Sequence, residues 1–196
     1  QNCGAESSKW MGRCPQCGEW NTLVEEIIKE TKHSRTPSRG IGNQTTKPTA
    51  LPDIEISSIA RVSTTFGEID RVLGGGIVPG ALMLLGGDPG IGKSTLLLQV
   101  SQKVADTVGT VLYASGEESQ LQLKLRAERL HINSERLQVI ADTDLDHILE
   151  QADAMMPSLL VIDSIQTMYT GDIDAAPGSV SQVRECTSRL LRFCKE

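Results

Sequence analysis

Gly87-Asp88-Pro89-Gly90-Ile91-Gly92-Lys93-Ser94 satisfies the pattern G-x-x-x-x-G-K-[S/T] in full, and Thr95 follows it directly. The residue types say what such a stretch can do. Glycines at 87, 90 and 92 let backbone N–H groups close around phosphate oxygens. A helix starting at the end of the loop adds its favourable dipole to the same anion. Lys93 can then reach the β- and γ-phosphates, while the Ser94 hydroxyl is a hard oxygen donor suited to Mg²⁺. An apolar run at 82–85 precedes the loop and the periodic segment TLLLQVSQKVAD follows it. That strand–loop–helix context is what the motif requires, so residues 87–95 are expected to bind a nucleoside triphosphate.

Two acidic positions extend this chemistry. The run Leu159-Leu160-Val161-Ile162 ends in Asp163-Ser164, which delivers a carboxylate to a strand end where it can hold the Mg²⁺ shell. The run at 110–114 ends in Ser115-Gly116-Glu117-Glu118-Ser119. A carboxylate there can orient and polarise water attacking the γ-phosphate. The alternative is that both glutamates are favourable acids at the start of the next helix. Glu118 suits that alternative better, and Glu117, nearer the strand end, is the better base.

The thiols form a second constellation. Cys14-Pro15-Gln16-Cys17-Gly18 is a complete C-x-x-C-G knuckle, and Cys3-Gly4 is the second half of another. With a partner expected just before Gln1, the pattern is that of a structural four-thiolate Zn²⁺ site, to which Cys3, Cys14 and Cys17 contribute here. Trp10 and Trp20 are expected to pack around the metal in place of a core; a surface for DNA or a partner is the other reading. Cys186 and Cys194 sit on the inward side of the last helical pattern and are expected to act as small apolar fillers.

The elements that must position these groups follow from periodicity. Short apolar runs at 82–85, 110–114, 137–140 and 159–162 alternate with helical patterns at 92–107, 118–130 and 143–156, the last with Thr143 as N-cap. Such alternation predicts an α/β fold with a mainly parallel sheet and ligands at the carboxyl ends of the strands. Thr65-x-x-Glu68 fits a capping box for a short helix reaching Leu73. Three segments are expected: a zinc-binding module at 1–28, a polar flexible linker at 29–50 and the nucleotide-binding core at 51–196.

Composition narrows the classes. Residues 1–50 carry seven Lys/Arg against five Asp/Glu, and the remaining 146 carry twelve against twenty, giving the net charge of −6. That is not the basic surface of a protein that binds nucleic acid by charge alone. No apolar run approaches the roughly 18–20 residues that span a bilayer. With no secretory leader pattern, a cytoplasmic location and no membrane partner are expected. The start at Gln1 and the end at Glu196, inside an amphipathic pattern, point to a piece of a longer protein.

The segments STTFGEIDRVLGGGIVPGALMLLGGDPGIGKSTLLLQV, VLYASGEES and LLVIDSIQT, with CG-x-x-S-x-KW-x-G-x-CPxCG-x-WNT before them, resemble the RecA superfamily of oligomeric ATPases. Within it they resemble the bacterial DNA-repair branch, which joins a zinc ribbon to a RecA-like P-loop core. Clock ATPases and replicative helicases share the GGG…GKST and acidic parts but not the zinc module. The resemblance implies ATP hydrolysis coupled to single-stranded DNA binding, in recombination and branch processing. It puts the catalytic glutamate at Glu117, the phosphate-loop lysine at Lys93 and the second-motif aspartate at Asp163. It further implies a ring or filament of identical chains, branched DNA and recombination proteins as partners, and a DNA-facing loop at 167–178 containing Tyr169. That loop holds Asp172 and Asp174 and no Lys or Arg, which makes it a poor phosphate surface. The helix after it carries Arg184, Arg189 and Arg192 opposite Val183, Cys186, Leu190 and Phe193, as a solvated face or a DNA contact. In RecA-type sheets a strand from later in the chain lies between the phosphate-loop strand and the Asp163 strand; it is expected beyond Glu196, with a domain resembling Lon protease. A nucleotide-gated switch without motor activity is the competing function.

Overall fold

The computed structural model describes residues 12–14, 16–20, 48–53 and 60–195. The chain divides into two compact units, Gln1–Thr46 and Lys47–Glu196. In the first, Arg13 and Trp20 pair in an isolated antiparallel bridge, and the Gly18 N–H donates to the Cys14 carbonyl at 2.9 Å. Cys3, Trp10 and most of the expected linker lie outside the described residues.

The second unit is built on three parallel strands, β1 (Val111–Ser115), β2 (Leu137–Ala141) and β3 (Leu159–Asp163), in the order β2-β1-β3. The helices are α1 (Gly67–Val72), α2 (Lys93–Thr107), α3 (Gln120–Arg129), α4 (Leu145–Met155) and α5 (Val180–Phe193). The period of two along each strand sorts its residues between two cores. Val111 and Tyr113 of β1 and Val161 of β3 pack with Leu98, Val104 and Ala105 of α2 and Leu123 of α3. Ala114, Leu160 and Ile162 pack on the other face with Leu145 and Ile148 of α4 and Cys186 and Leu190 of α5. β1, in the middle, is buried along its whole length. The crossover through α3 and the return through α4 run in opposite directions on opposite faces, which gives both the same hand.

Three expectations are corrected. The run 82–85 forms no strand: Leu84 is 88% exposed, and residues 81–90 are all exposed coil. An extended segment becomes a strand only when a neighbour takes its N–H and C=O groups, and no described strand pairs with it or with the outer edge of β3. The capping box at Thr65 is absent. α1 has no side-chain cap, Thr65 adopts φ 64°, and the Asp70 carboxylate instead accepts from Ser63 Oγ, Thr64 N–H and Thr64 Oγ1. The cap of α4 is Asp144 rather than Thr143, because Asp144 Oδ1 reaches the N–H groups of Asp146 and His147.

Candidate nucleotide site

α2 begins at Lys93, and its N-cap is Gly92 with φ 102°, a left-handed conformation open to glycine without strain. No side chain caps this end, so the first-turn N–H groups have no side-chain acceptor among the described residues. Lys93 Nζ bridges the loop, donating to the Gly87 carbonyl at 2.8 Å and the Asp88 carbonyl at 2.9 Å. Pro89, Gly90 and Ile91 form its exposed tip, while Ser94 and Thr95 are half-buried in the first helical turn.

The direction of α2 follows from its contacts. Val104 and Ala105, near its end, pack where the strands begin, with Val111, Leu137 and Leu159, whereas Leu98 packs at mid-strand with Tyr113 and Val161. The helix therefore runs antiparallel to the strands, and continuing the same direction carries Lys93, Ser94 and Thr95 toward the strands' carboxyl ends. Asp163 ends β3 there, opposite Ser115 of β1. It shares strand parity with Leu159 and Val161, so it belongs to the face that α2 covers.

The two acidic positions meet across β1 and β3. Tyr113 OH donates to Asp163 Oδ2 at 2.5 Å, and Ser164 Oγ donates to Glu117 Oε1 at 2.9 Å. Burial first, and then the Asp163 carboxylate, push the Tyr113 phenol far above its ordinary pKa, so it stays a donor. Gly116 makes the approach possible, since a Cβ there would stand 2.0 Å from Thr167 Oγ1. Glu118 has other partners: its carboxylate pairs with Arg126 of α3 and its N–H donates to Ser115 Oγ at 3.0 Å. It precedes the capping box of Ser119 and Gln122 that starts α3, rather than lying in the first helical turn. A shallow cleft of about 340 Å³ opens beside Glu117, walled by Glu118, Asp142 and Thr143. A larger hollow, about 690 Å³, runs along α3 past Gln122 and Arg129, away from the phosphate loop.

The segment 167–178 is tied down. Tyr169 is half-buried; its N–H donates to the Thr143 carbonyl and its carbonyl accepts from Leu145 N–H. The buried Gln182 Nε2 lies within 3.1 Å of the carbonyls of Thr170, Ile173 and Ala175, and its Oε1 accepts from Thr170 N–H. Arg189 pairs with Asp146, Asp172 and Glu185, and Arg192 pairs with Glu185. Arg184 is exposed, with no hydrogen bond or ion pair to the described residues. In the first unit, Cys14 is buried and Cys17 exposed, flanking the turn closed by Gly18. Trp20 is 70% exposed and lies against the Arg13 guanidinium rather than packing inward. Tyr113, Ser164, Arg126 and Gln182 were not singled out from sequence. Their roles come from pairings between groups 8 to 50 residues apart, which no local pattern announces.

The AAA domain family matches residues 45–196, most of the chain. The chain belongs to the AAA domain family. A rubredoxin metal-binding domain matches residues 1–25, ahead of the AAA domain. The DNA repair protein RadA of Bacillus subtilis is 55% identical over 196 residues, covering 100% of this chain and 43% of that protein. RadA of Listeria monocytogenes is 52% identical over 195 residues, with 100% and 42% covered. The chain thus spans less than half the length of these curated relatives. Among solved structures, a DnaB-like replicative helicase superposes with a TM-score of 0.55 at 16% identity, over 70% of this chain and 41% of that one. The likeness is one of fold, and the AAA domain here is an α/β RecA-like core.

Proposed function

We propose that this chain carries the ATP-hydrolysing core of a DNA-repair motor, in which turnover is coupled to single-stranded and branched DNA. The observation that carries the reading is the pairing of β1 with β3, which sets Glu117 and Asp163 at adjacent strand ends on the sheet that α2 crosses. In this reading the loop from Gly87 to Thr95 binds the triphosphate through its backbone N–H groups and the uncapped start of α2. Lys93 exchanges the Gly87 and Asp88 carbonyls for phosphate oxygens. The Ser94 hydroxyl and the Asp163 carboxylate hold Mg²⁺; both are hard oxygen donors, and Asp163 Oδ1 accepts no hydrogen bond from the described residues. Mg²⁺ held there would supply positive charge to offset the negative charge of the triphosphate. Glu117, exposed at the cleft, orients the attacking water and takes its proton.

The rubredoxin-type match and the Cys14–Cys17 knuckle support a structural Zn²⁺ on Cys14, Cys17 and Cys3, since thiolates suit Zn²⁺. The RadA relatives are DNA repair proteins, which supports a repair role on DNA; recombination, a homo-oligomer and a cytoplasmic setting extend that reading. On this chain, Arg184 is the better DNA contact, because Arg189 and Arg192 are engaged with carboxylates and the Tyr169 backbone is woven into α4's start. Equilibrium binding of a fluorescent ATP analogue tests the site: Lys93→Ala is expected to abolish binding, whereas unchanged binding contradicts the reading.

A further inference from the structure

Each of the two strands supplies the hydroxyl that holds the other strand's acid. Tyr113 of β1 donates to Asp163 of β3, and Ser164, directly after β3, donates to Glu117, two residues beyond β1. Neither hydroxyl is a phosphate-loop group or an acid, although Ser164 directly follows Asp163. Both are fixed by packing or by backbone. Tyr113 is 0% exposed, with its ring among Leu98, Leu123 and Val161, so its OH can lie only where that core puts it. At 2.5 Å its bond to Asp163 lies in the charge-assisted range. The Ser164 carbonyl accepts from Thr167 N–H at 3.1 Å and Thr167 Oγ1 at 2.8 Å, and Thr167 in turn occupies the space that Gly116 leaves.

We infer that Tyr113 and Ser164 are positioning residues: Tyr113 fixes Asp163 for the Mg²⁺ shell, and Ser164 fixes Glu117 for the attacking water. This rests on the ATPase reading above. One oxygen of each carboxylate is taken by its hydroxyl, while Asp163 Oδ1 and Glu117 Oε2 accept nothing from the described residues. Each acid thus keeps one oxygen for its ligand and loses the rotational freedom that would blur its aim. Groups that orient metal-ligating carboxylates typically cost 10–100-fold in affinity or activity when removed.

The test uses the full natural polypeptide carrying this chain. Tyr113→Phe keeps the ring and its packing, and Ser164→Thr keeps a hydroxyl where Ser164→Ala removes it. Tyr113→Phe is expected to raise the Mg²⁺ concentration for half-maximal binding of a fluorescent ATP analogue by roughly 10-fold. Ser164→Ala is expected to lower kcat by roughly 10-fold with unchanged nucleotide affinity, and Ser164→Thr to restore most of it. A wild-type Mg²⁺ midpoint in Tyr113→Phe overturns the inference. So does an unchanged or raised kcat in Ser164→Ala, or a Ser164→Thr variant no better than Ser164→Ala. Lys93→Ala separates the two levels. If it still binds the analogue, the ATPase reading itself fails; if it does not and the hydroxyl variants behave as wild type, only this inference falls.

Discussion

Glu117 and Glu118 are adjacent in sequence and held by different partners. Glu118 shares its carboxylate with Arg126, leaving Oε2 buried without a hydrogen bond, while Glu117 is exposed and bonded to Ser164. Sequence alone favoured Glu117 as the base and Glu118 as the helix-start acid. What separates them is Arg126, which sits on α3 eight residues away from Glu118. Arg126→Met should leave a partly buried carboxylate uncompensated and cost about 1–3 kcal/mol, read as a lower urea midpoint. Gln182→Leu should cost about as much, because it strands the buried polar groups of the 170–175 backbone; its check is the same midpoint with the m-value unchanged. Of the two thiols of the last helical pattern, Cys186 is a core filler as expected, whereas Cys194 is the half-buried C-cap of α5 and joins no core cluster among the described residues. Burial pushes the Cys186 thiol up, and it packs with Ala114 and Leu190 as a small apolar side chain.

At the scale of elements, the strands and helices with strong periodicity were legible to within two residues. The helical pattern 92–107 is α2 at Lys93–Thr107, and the run 159–162 is β3 at Leu159–Asp163. Their starts were harder, because caps depend on which oxygen reaches which N–H. At α4, Asp142 and Asp144 both compete with Thr143, and Asp142 also reaches forward to His147, whose Nδ1 lies 2.5 Å from Asp142 Oδ2. That side-chain bond raises the pKa of His147 and lowers that of Asp142. The sign follows. The His147 contribution to stability is fully present below its unfolded pKa of 6.5 and is lost as pH rises through its higher folded value. The Asp142 contribution is present above 3.8 and lost as pH falls through its depressed folded value. His147→Gln should therefore flatten the fall in the urea midpoint of the wild-type chain between about pH 6 and about pH 8. An identical slope in both chains would count against the pair.

Across the whole second unit, the sheet has a core on each face, and the apolar run 82–85 belongs to neither. Sequence predicted a strand there because apolarity before a phosphate loop is a strong local signal. Pairing is not local, and no described neighbour offers this run a ladder. The contrast predicts opposite outcomes for two leucines in this chain. Leu98→Ala, at a site 0% exposed between α2 and the sheet, should cost about 2–5 kcal/mol in thermal or urea unfolding. Leu84→Lys, at an exposed position, should stay within about 0.5 kcal/mol of the wild-type chain. The proposed function requires that α2 and the paired strand ends together make a site that hydrolyses ATP in step with DNA. The most direct measurement is phosphate release from the full natural polypeptide, with and without single-stranded DNA, comparing wild type, Lys93→Ala and Glu117→Gln. The account predicts release that rises with DNA, vanishes in Lys93→Ala, and falls by at least roughly 100-fold in Glu117→Gln although ATP still binds. Turnover in Glu117→Gln equal to wild type, or tight ATP binding with no DNA-stimulated release, would contradict it.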